Sequence, residues 1–159
     1  MNERDFVRRC GGIYQHSPWV AELAAPLLAD AAAVDEIARV MADCVDNASQ
    51  KRQLELIRAH PDLAGRAAVA GELTAESTEE QASAGLDQCT PQQFERFIEL
   101  NEQYTVKFGF PFVMAVRGSI RDEILAAFER RLGHDYDQEF ETALEEIHKI
   151  ARLRLEAMT

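Results

Sequence analysis

The stretch TPQQFERFIELNEQYTVKFG, residues 90–109, decides the fold class. Thr90 followed by Pro91 is typical of a helix start, because the threonine side chain can cap free N–H groups and proline fits the first helical position. Gly109 is typical of the residue that ends a helix. Between these signals the inward side chains recur at helical spacing, which predicts one long helix with a buried face: Phe94, Phe97, Ile98, Asn101, Tyr104 and Phe108.

Similar signals on both sides of this helix predict an all-α protein. The continuously apolar run 110–116 is interpreted as a buried, extended connection, because a single strand would have no partner. Ser119 is expected to cap a helix that runs to Leu132 and stops at Gly133. Further helices are predicted from Ser17-Pro18 onward and over residues 2–10, 32–44, 50–59, 77–86 and 136–157. Together they predict a single-domain helical bundle of about seven or eight helices over residues 1–159.

Composition excludes several classes of partner. The chain has 159 residues and a formal net charge of -11 at pH 7, which argues against nucleic acid and against anionic membrane surfaces. No apolar run approaches the roughly 20 residues that span a bilayer, and no secretory signal is visible. The three cysteines are far apart and odd in number, which indicates packed thiols in a reducing, cytoplasmic compartment.

The histidines and glycines form no known cofactor motif. No histidine pair has the spacing of H-E-x-x-H, and neither a P-loop nor G-x-G-x-x-G occurs, so we expect no metal and no nucleotide cofactor. Three of the four histidines favour structural interpretations. His148 is expected at the surface of the last helix, His134 as a solvated or capping residue after Gly133, and His16 just before a helix cap.

His60 lies in a different setting, between a helix end and a glycine-containing loop. Pro61 disfavours the α conformation at the residue before it, so the helix should end there. One interpretation makes His60 a cap for the last carbonyls of its helix. The other makes it an acid–base group, because the reference pKa of histidine lies near operating pH. The local sequence leaves both open.

Two further segments carry candidate polar groups. Ser77-Thr78-Glu79-Glu80 matches the S-x-x-E capping box, so Glu80 can serve as a cap, contact a ligand at the helix start, or do both. Gln81 flanks the same turn. Arg117 follows the apolar run and is either an ion-pair anchor or a carboxylate clamp, and Lys107 and Arg66 are weaker cationic candidates.

Taken together, these motifs resemble one enzyme family. His60-Pro61-Asp62-Leu63-Ala64-Gly65 is followed by Ser77-Thr78-Glu79-Glu80-Gln81 with Ala84-Gly85-Leu86, and then by Tyr104, Lys107-Phe108-Gly109-Phe110-Pro111-Phe112 and Arg117. In order and separation this set is similar to the 2-oxo-4-hydroxy-4-carboxy-5-ureidoimidazoline (OHCU) decarboxylases. The resemblance covers nearly the whole chain and is most specific between His60 and Arg117.

The resemblance implies an all-α, commonly homodimeric carboxy-lyase without metal or organic cofactor. Its substrate would be OHCU, and its product (S)-allantoin, formed in the last step from urate. The resemblance assigns catalysis to His60 and Glu80. It assigns substrate binding to Pro61, Ser77, Thr78, Glu79, Gln81, Phe112, Met114, Ala115, Val116 and Arg117. At 114–116 the family more often shows other small or apolar residues, which matters little if that stretch binds through its backbone.

The residues leave two alternatives open. The same polar groups would serve a lyase or hydrolase of another small ureido compound. A non-enzymatic helical adaptor is the second alternative, and it predicts that His60, Glu80 and Arg117 lie far apart or are occupied in the core.

Overall fold

The computed structural model describes residues 2–64 and 73–158, and these contain eight α-helices and no strand. The predicted all-α class is therefore confirmed. In chain order the helices are α1 (Glu3–Cys10), α2 (Trp19–Ala24), α3 (Val34–Asp46), α4 (Gln50–Arg58), α5 (Ala75–Ser83), α6 (Pro91–Phe108), α7 (Arg121–Arg131) and α8 (Tyr136–Ala157). Gly65 of the predicted loop and the cationic candidate Arg66 lie outside the described residues.

The long helix α6 forms as its end signals predict. The Thr90 side chain accepts a hydrogen bond from the N–H of Gln93, and the Gln93 side chain accepts one from the N–H of Thr90. This reciprocal capping satisfies two donors that the first turn leaves free. Gly109 ends the helix in the left-handed conformation, with φ of 76°, which a residue without Cβ adopts at no steric cost.

Three predicted helix starts are wrong. The cap of α5 is Thr74, whose side chain accepts from the N–H of Ser77, so Ser77 lies inside the helix. Helix α7 begins at Arg121, and Ile120 rather than Ser119 precedes it, its N–H bonded to the Glu123 carboxylate. Ser17 makes no cap, because its hydroxyl donates to the carbonyl of Gln15.

The chain folds into two compact units. The first comprises residues 1–59 and 147–159, and the second comprises residues 60–146. In the first unit His148 is not the free surface residue that its helix position predicted. Its Nδ1 lies 2.8 Å from the hydroxyl of buried Tyr14, and its Nε2 lies 2.9 Å from Asp46 Oδ1.

The core of the second unit is aromatic. Phe112 stacks on Phe128 at a centroid distance of 3.7 Å, and Tyr104 meets Phe112 edge-on at 5.3 Å. Such contacts add to the free energy gained by burying the ring surface. Residues 110–116 run through this core without forming a strand, as predicted. The core thereby fixes the segment that leads to Arg117.

Two other sequence predictions are checked by the described residues. Among the described helices there is no candidate membrane-spanning segment. The cysteines are free thiols; Cys10 is buried, whereas Cys44 and Cys89 are partly exposed. Burial raises the pKa of each of these thiols, so each is held in its neutral form.

Candidate active site

His60 lies where the sequence predicted, just beyond the end of α4. Ala59 is the C-terminal cap of α4, and its N–H reaches the carbonyls of Glu55 and Leu56 at 3.0 and 3.2 Å. The His60 side chain is buried, with 8% of the residue exposed. Pro61 follows immediately. His60 is therefore a buried imidazole held at a helix exit by a stiff neighbour.

The three residues after Pro61 form a tight segment that Gln81 of α5 holds. The Gln81 amide oxygen accepts a hydrogen bond from the N–H of Ala64 at 3.0 Å, and its amide nitrogen donates to the carbonyl of Asp62 at 3.1 Å. Gln81 is itself buried. The sequence predicted Gln81 as a substrate ligand. In the structure its amide fixes the backbone beside His60.

The residue between Asp62 and Ala64 is held by a second buried amide, which belongs to α6. Asn101 Nδ2 donates to the carbonyl of Leu63 at 3.0 Å. Sequence reasoning placed Asn101 on the inward face of its helix but gave it no role at the site. The available signal was a lone amide among aromatic residues, since a buried polar group needs a partner.

Asp62 is the carboxylate nearest to His60 along the chain. It is partly buried, and this burial raises the pKa of its carboxyl group above the ordinary value. The cause is desolvation, which disfavours the charged form. The backbone carbonyl of Asp62 is bonded to Gln81, so the segment positions this carboxyl group as well.

Helix α5 presents its candidate residues on two faces. Ser77 and Gln81 are buried and Glu80 is partly buried, as expected for positions spaced by three and four residues. Thr78 and Glu79 are exposed, and the Thr78 hydroxyl donates to the carbonyl of Thr74. The earlier helix start moves Glu80 out of the capping position, so its predicted capping role is wrong.

The segment 112–117 is held in an extended course by side chains from α7 and α8. Arg131 Nη1 donates to the carbonyl of Val113 at 2.7 Å, and the N–H of Ala115 donates to Glu146 Oε1 at 3.2 Å. Phe112, Val113 and Val116 are buried, whereas Met114 and Ala115 are partly exposed. These contacts set the point at which the chain reaches Arg117.

Arg117 links this segment to α5. Its Nη2 atom lies 3.7 Å from Glu79 Oε1, and 38% of its side chain is exposed. An ion pair so exposed contributes little to stability, so the guanidinium can exchange this partner for an anionic ligand at small cost. All three predicted segments thus meet at α5, through Gln81 and through Glu79.

A buried network of charged side chains lies next to Val113, and the sequence pattern does not predict it. Glu139 is fully buried, and its Oε1 atom accepts hydrogen bonds from Arg131 Nε at 2.8 Å and from the Tyr104 hydroxyl. Its Oε2 atom lies 2.9 Å from His134 Nδ1, so His134 is neither a helix cap nor simply solvated. Arg131 also lies over the Phe112 ring, at 4.2 Å from its centroid. Through the hydrogen bond from Arg131 to the Val113 carbonyl, the network holds the segment 112–117 in place.

Two clefts in the first unit contain none of the predicted site residues. One, of about 310 Å³, is lined by residues of α1 and of the segment 25–37, including Phe6 and Pro26. The other, of about 590 Å³, lies among residues 23–52 and includes Leu27 and Arg52. All of the predicted site residues lie in the second unit.

Comparison with known proteins decides the family. The family model described as OHCU decarboxylase matches residues 1–156. The chain belongs to the OHCU decarboxylase family. The resemblance inferred from His60-Pro61-Asp62 and the later motifs is confirmed, and the match extends over both compact units.

Individual members of this family and related structures agree. The chain is 49% identical over 155 residues to the 2-oxo-4-hydroxy-4-carboxy-5-ureidoimidazoline decarboxylase of Haloferax volcanii, covering 98% of this chain and 89% of that protein. A crystal structure of (S)-allantoin synthase aligns with a TM-score of 0.77 and 34% sequence identity. The alignment covers 99% of this chain and 50% of the synthase chain. A crystal structure of an OHCU decarboxylase in the presence of (S)-allantoin aligns with a TM-score of 0.75 over 93% of this chain and 95% of that one, and at 23% identity it supports the fold alone.

Proposed function

We propose that this protein decarboxylates OHCU to (S)-allantoin, the last step from urate to allantoin. The observation that carries the proposal is the 49% identity to a decarboxylase of that name over 98% of the chain. The (S)-allantoin synthase structure, similar over 99% of the chain, supports the handedness of the product. The family match also favours an enzyme over a helical adaptor.

The substrate explains why such an enzyme can work with side chains alone. Its name places a carboxyl and a hydroxyl group on one ring carbon and a ureido group on the next. When the bond to the carboxylate breaks, CO2 leaves and the electron pair passes to the adjoining C=N unit. The nitrogen of that unit takes up one proton, so the conversion consumes one proton overall. The hydroxyl proton is lost as the carbonyl forms, and a further proton is added to the ring carbon that carries the ureido group. The protein must orient the carboxylate out of the ring plane and deliver that proton to one face.

In this proposal His60 transfers the proton and Glu80 orients His60 or the ureido group. The buried position of His60 supports the assignment. In a site shielded from water, fixed dipoles stabilise the charge that develops during proton transfer more strongly than they would in water. Arg117 holds an anionic or carbonyl oxygen of the substrate through paired donors. The remaining contacts come from Pro61, Ser77, Thr78, Glu79, Gln81, Phe112, Met114, Ala115 and Val116.

Four further expectations belong to the same proposal. The protein is a homodimer, works without metal or organic cofactor, acts in the cytoplasm and forms one family domain over residues 1–159. The first three are supported by the family resemblance and by the cysteine pattern. The last is supported by the single family match over residues 1–156.

The test is a direct assay with freshly generated substrate. OHCU is produced in situ from urate with urate oxidase and hydroxyisourate hydrolase, and the circular dichroism of the product is followed in time. The protein should accelerate formation of one allantoin enantiomer, the S form, far above spontaneous decay. A time course equal to that of the protein-free mixture would refute the decarboxylase assignment.

A further inference from the structure

Asn101 is a buried amide whose presence the packing of α6 does not explain. The residue is 4% exposed and lies on the face that carries Phe97, Tyr104 and Phe108. Its Nδ2 donates to the carbonyl of Leu63, 38 residues earlier in the chain, whereas its Oδ1 is buried without a hydrogen-bond partner among the described residues. A leucine of similar size would avoid the cost of that unpaired oxygen. The hydrogen bond that the amide nitrogen donates therefore explains why asparagine occupies position 101.

The donor acts on the segment that follows His60. Three consecutive residues there have a backbone group fixed by a buried side-chain amide: the Asp62 carbonyl and the Ala64 N–H by Gln81, and the Leu63 carbonyl by Asn101. Ala64 has φ of 51°, a left-handed conformation that a residue with Cβ rarely adopts. Such a conformation persists only where the surroundings impose it. The two amides approach the segment from different helices, α5 and α6, so the segment is held from both.

We propose that Asn101 is a positioning residue for His60. It fixes the Leu63 carbonyl, and with Gln81 it sets the course of Pro61–Ala64 and thereby the place of the imidazole. This inference rests on the proposed function, in which His60 transfers the proton. Asn101 itself does not touch the substrate in this account. Its loss should therefore slow the chemical step and leave substrate binding almost unchanged.

The first test replaces Asn101 with leucine, which keeps the volume and removes the donor. Displacing a catalytic group by about 1 Å can cost on the order of 100-fold in rate, so kcat should fall roughly 10- to 100-fold while KM changes less than about threefold. The matched control is Gln103→Leu, which makes the same kind of change on the exposed side of the same helix. That variant should keep the wild-type kcat.

A second variant, Asn101→Asp, distinguishes the hydrogen bond from general packing. When the introduced carboxyl group is protonated, its O–H can donate to the Leu63 carbonyl as the amide does. When the carboxyl group is ionised, it has no proton to donate to the Leu63 carbonyl oxygen, so the hydrogen bond is lost. Because burial raises the pKa of a carboxyl group, this change should fall within the assay range. The kcat of Asn101→Asp relative to wild type should rise as pH falls, whereas the ratio for Asn101→Leu should stay flat.

The outcomes separate this inference from the proposed function. A wild-type protein that does not accelerate OHCU decay refutes the function itself. With an active wild type, a wild-type kcat in Asn101→Leu overturns the positioning role, and so does a loss confined to KM. If Asn101→Leu does not fold, as judged by its far-ultraviolet circular dichroism, Asn101→Asp carries the test alone. A pH-independent ratio in that variant overturns the proposal.

Discussion

The side chain of Gln81 shows what a residue's chemistry predicts and what it does not. The motif predicted that an amide at this position matters, and the structure uses both of its polar atoms, one as acceptor and one as donor. Its partners lie 17 and 19 residues earlier in the chain, beyond the reach of any local pattern. The residue could be predicted because few side chains both donate and accept. The partners could not, because the fold alone brings them together.

The exposed cation Arg117 is expected to hold the substrate. Its guanidinium is the cation that links the apolar segment to α5, and replacing it by glutamine removes the charge while keeping a donor. A charge-assisted contact contributes about 1.5–3 kcal/mol, so KM for OHCU should rise roughly 10- to 100-fold, with a smaller fall in kcat. Steady-state kinetics over a range of OHCU concentrations measures both quantities.

The matched control for this variant is Arg96→Gln. The Arg96 side chain is 39% exposed, against 38% for Arg117, and it pairs with Glu99 and Glu129 on the surface. The Arg96→Gln variant should keep both kinetic constants near wild type, because exposed ion pairs contribute little to stability. An unchanged KM in Arg117→Gln would show that Arg117 does not hold the substrate.

Among the helices, α6 and α5 mark the limits of prediction from local signals. For α6, Thr90, Pro91 and Gly109 are the only strong end signals nearby, and the helix begins and ends where they predict. For α5, Thr74 and Ser77 can both cap a helix, and the capping-box pattern favoured the wrong one. The extra residues at the start of α5 place Ser77, Glu80 and Gln81 along one side of it. Both residues have the chemistry of a cap, and the local pattern does not decide between them; in the structure Ser77 is buried inside the helix.

The contact between α6 and α8 through Tyr104 and Glu139 predicts how stability depends on alkaline pH. Burial, together with the hydrogen bond to Glu139, raises the pKa of Tyr104 above its ordinary value of about 10. The unfolded chain therefore loses this proton at a pH where the folded protein keeps it. The stabilisation is complete below about pH 10 and declines above it, by about 1.4 kcal/mol per pH unit for this residue. Burial raises the pKa of Tyr14 as well, so Tyr14 adds to the same decline.

Urea unfolding of wild type and Tyr104→Phe between about pH 7 and pH 11 measures this dependence. The variant should be less stable at neutral pH by about 1–3 kcal/mol, because Glu139 loses a donor. Above about pH 10 its free energy of unfolding should decline less steeply than that of wild type, by the contribution of one tyrosine. Parallel pH profiles for the two proteins would show that Tyr104 ionises as readily in the folded as in the unfolded state.

At the scale of the whole molecule, periodicity and helix-end residues were enough to predict the all-α class, and three motifs were enough to predict the family. The long-range polar contacts were not predictable. His148 reaches Tyr14 across 134 residues, and Arg131 reaches the Val113 carbonyl across 18. Helical spacing indicates which face is buried, but it does not indicate which polar groups meet inside. The sequence therefore predicts which residues are candidates for the site. The amides and ion pairs that hold these residues in place are seen only in the structure.

Proton transfer by His60 is tested by comparing wild type with His60→Asn in the OHCU assay. Loss of a general acid–base group costs about 100- to 10,000-fold, so the variant should form allantoin at little more than the spontaneous rate and without S selectivity. His16→Asn, at an exposed histidine whose left-handed backbone asparagine tolerates, should retain full activity. Rapid formation of (S)-allantoin by a folded His60→Asn protein would refute proton transfer by His60.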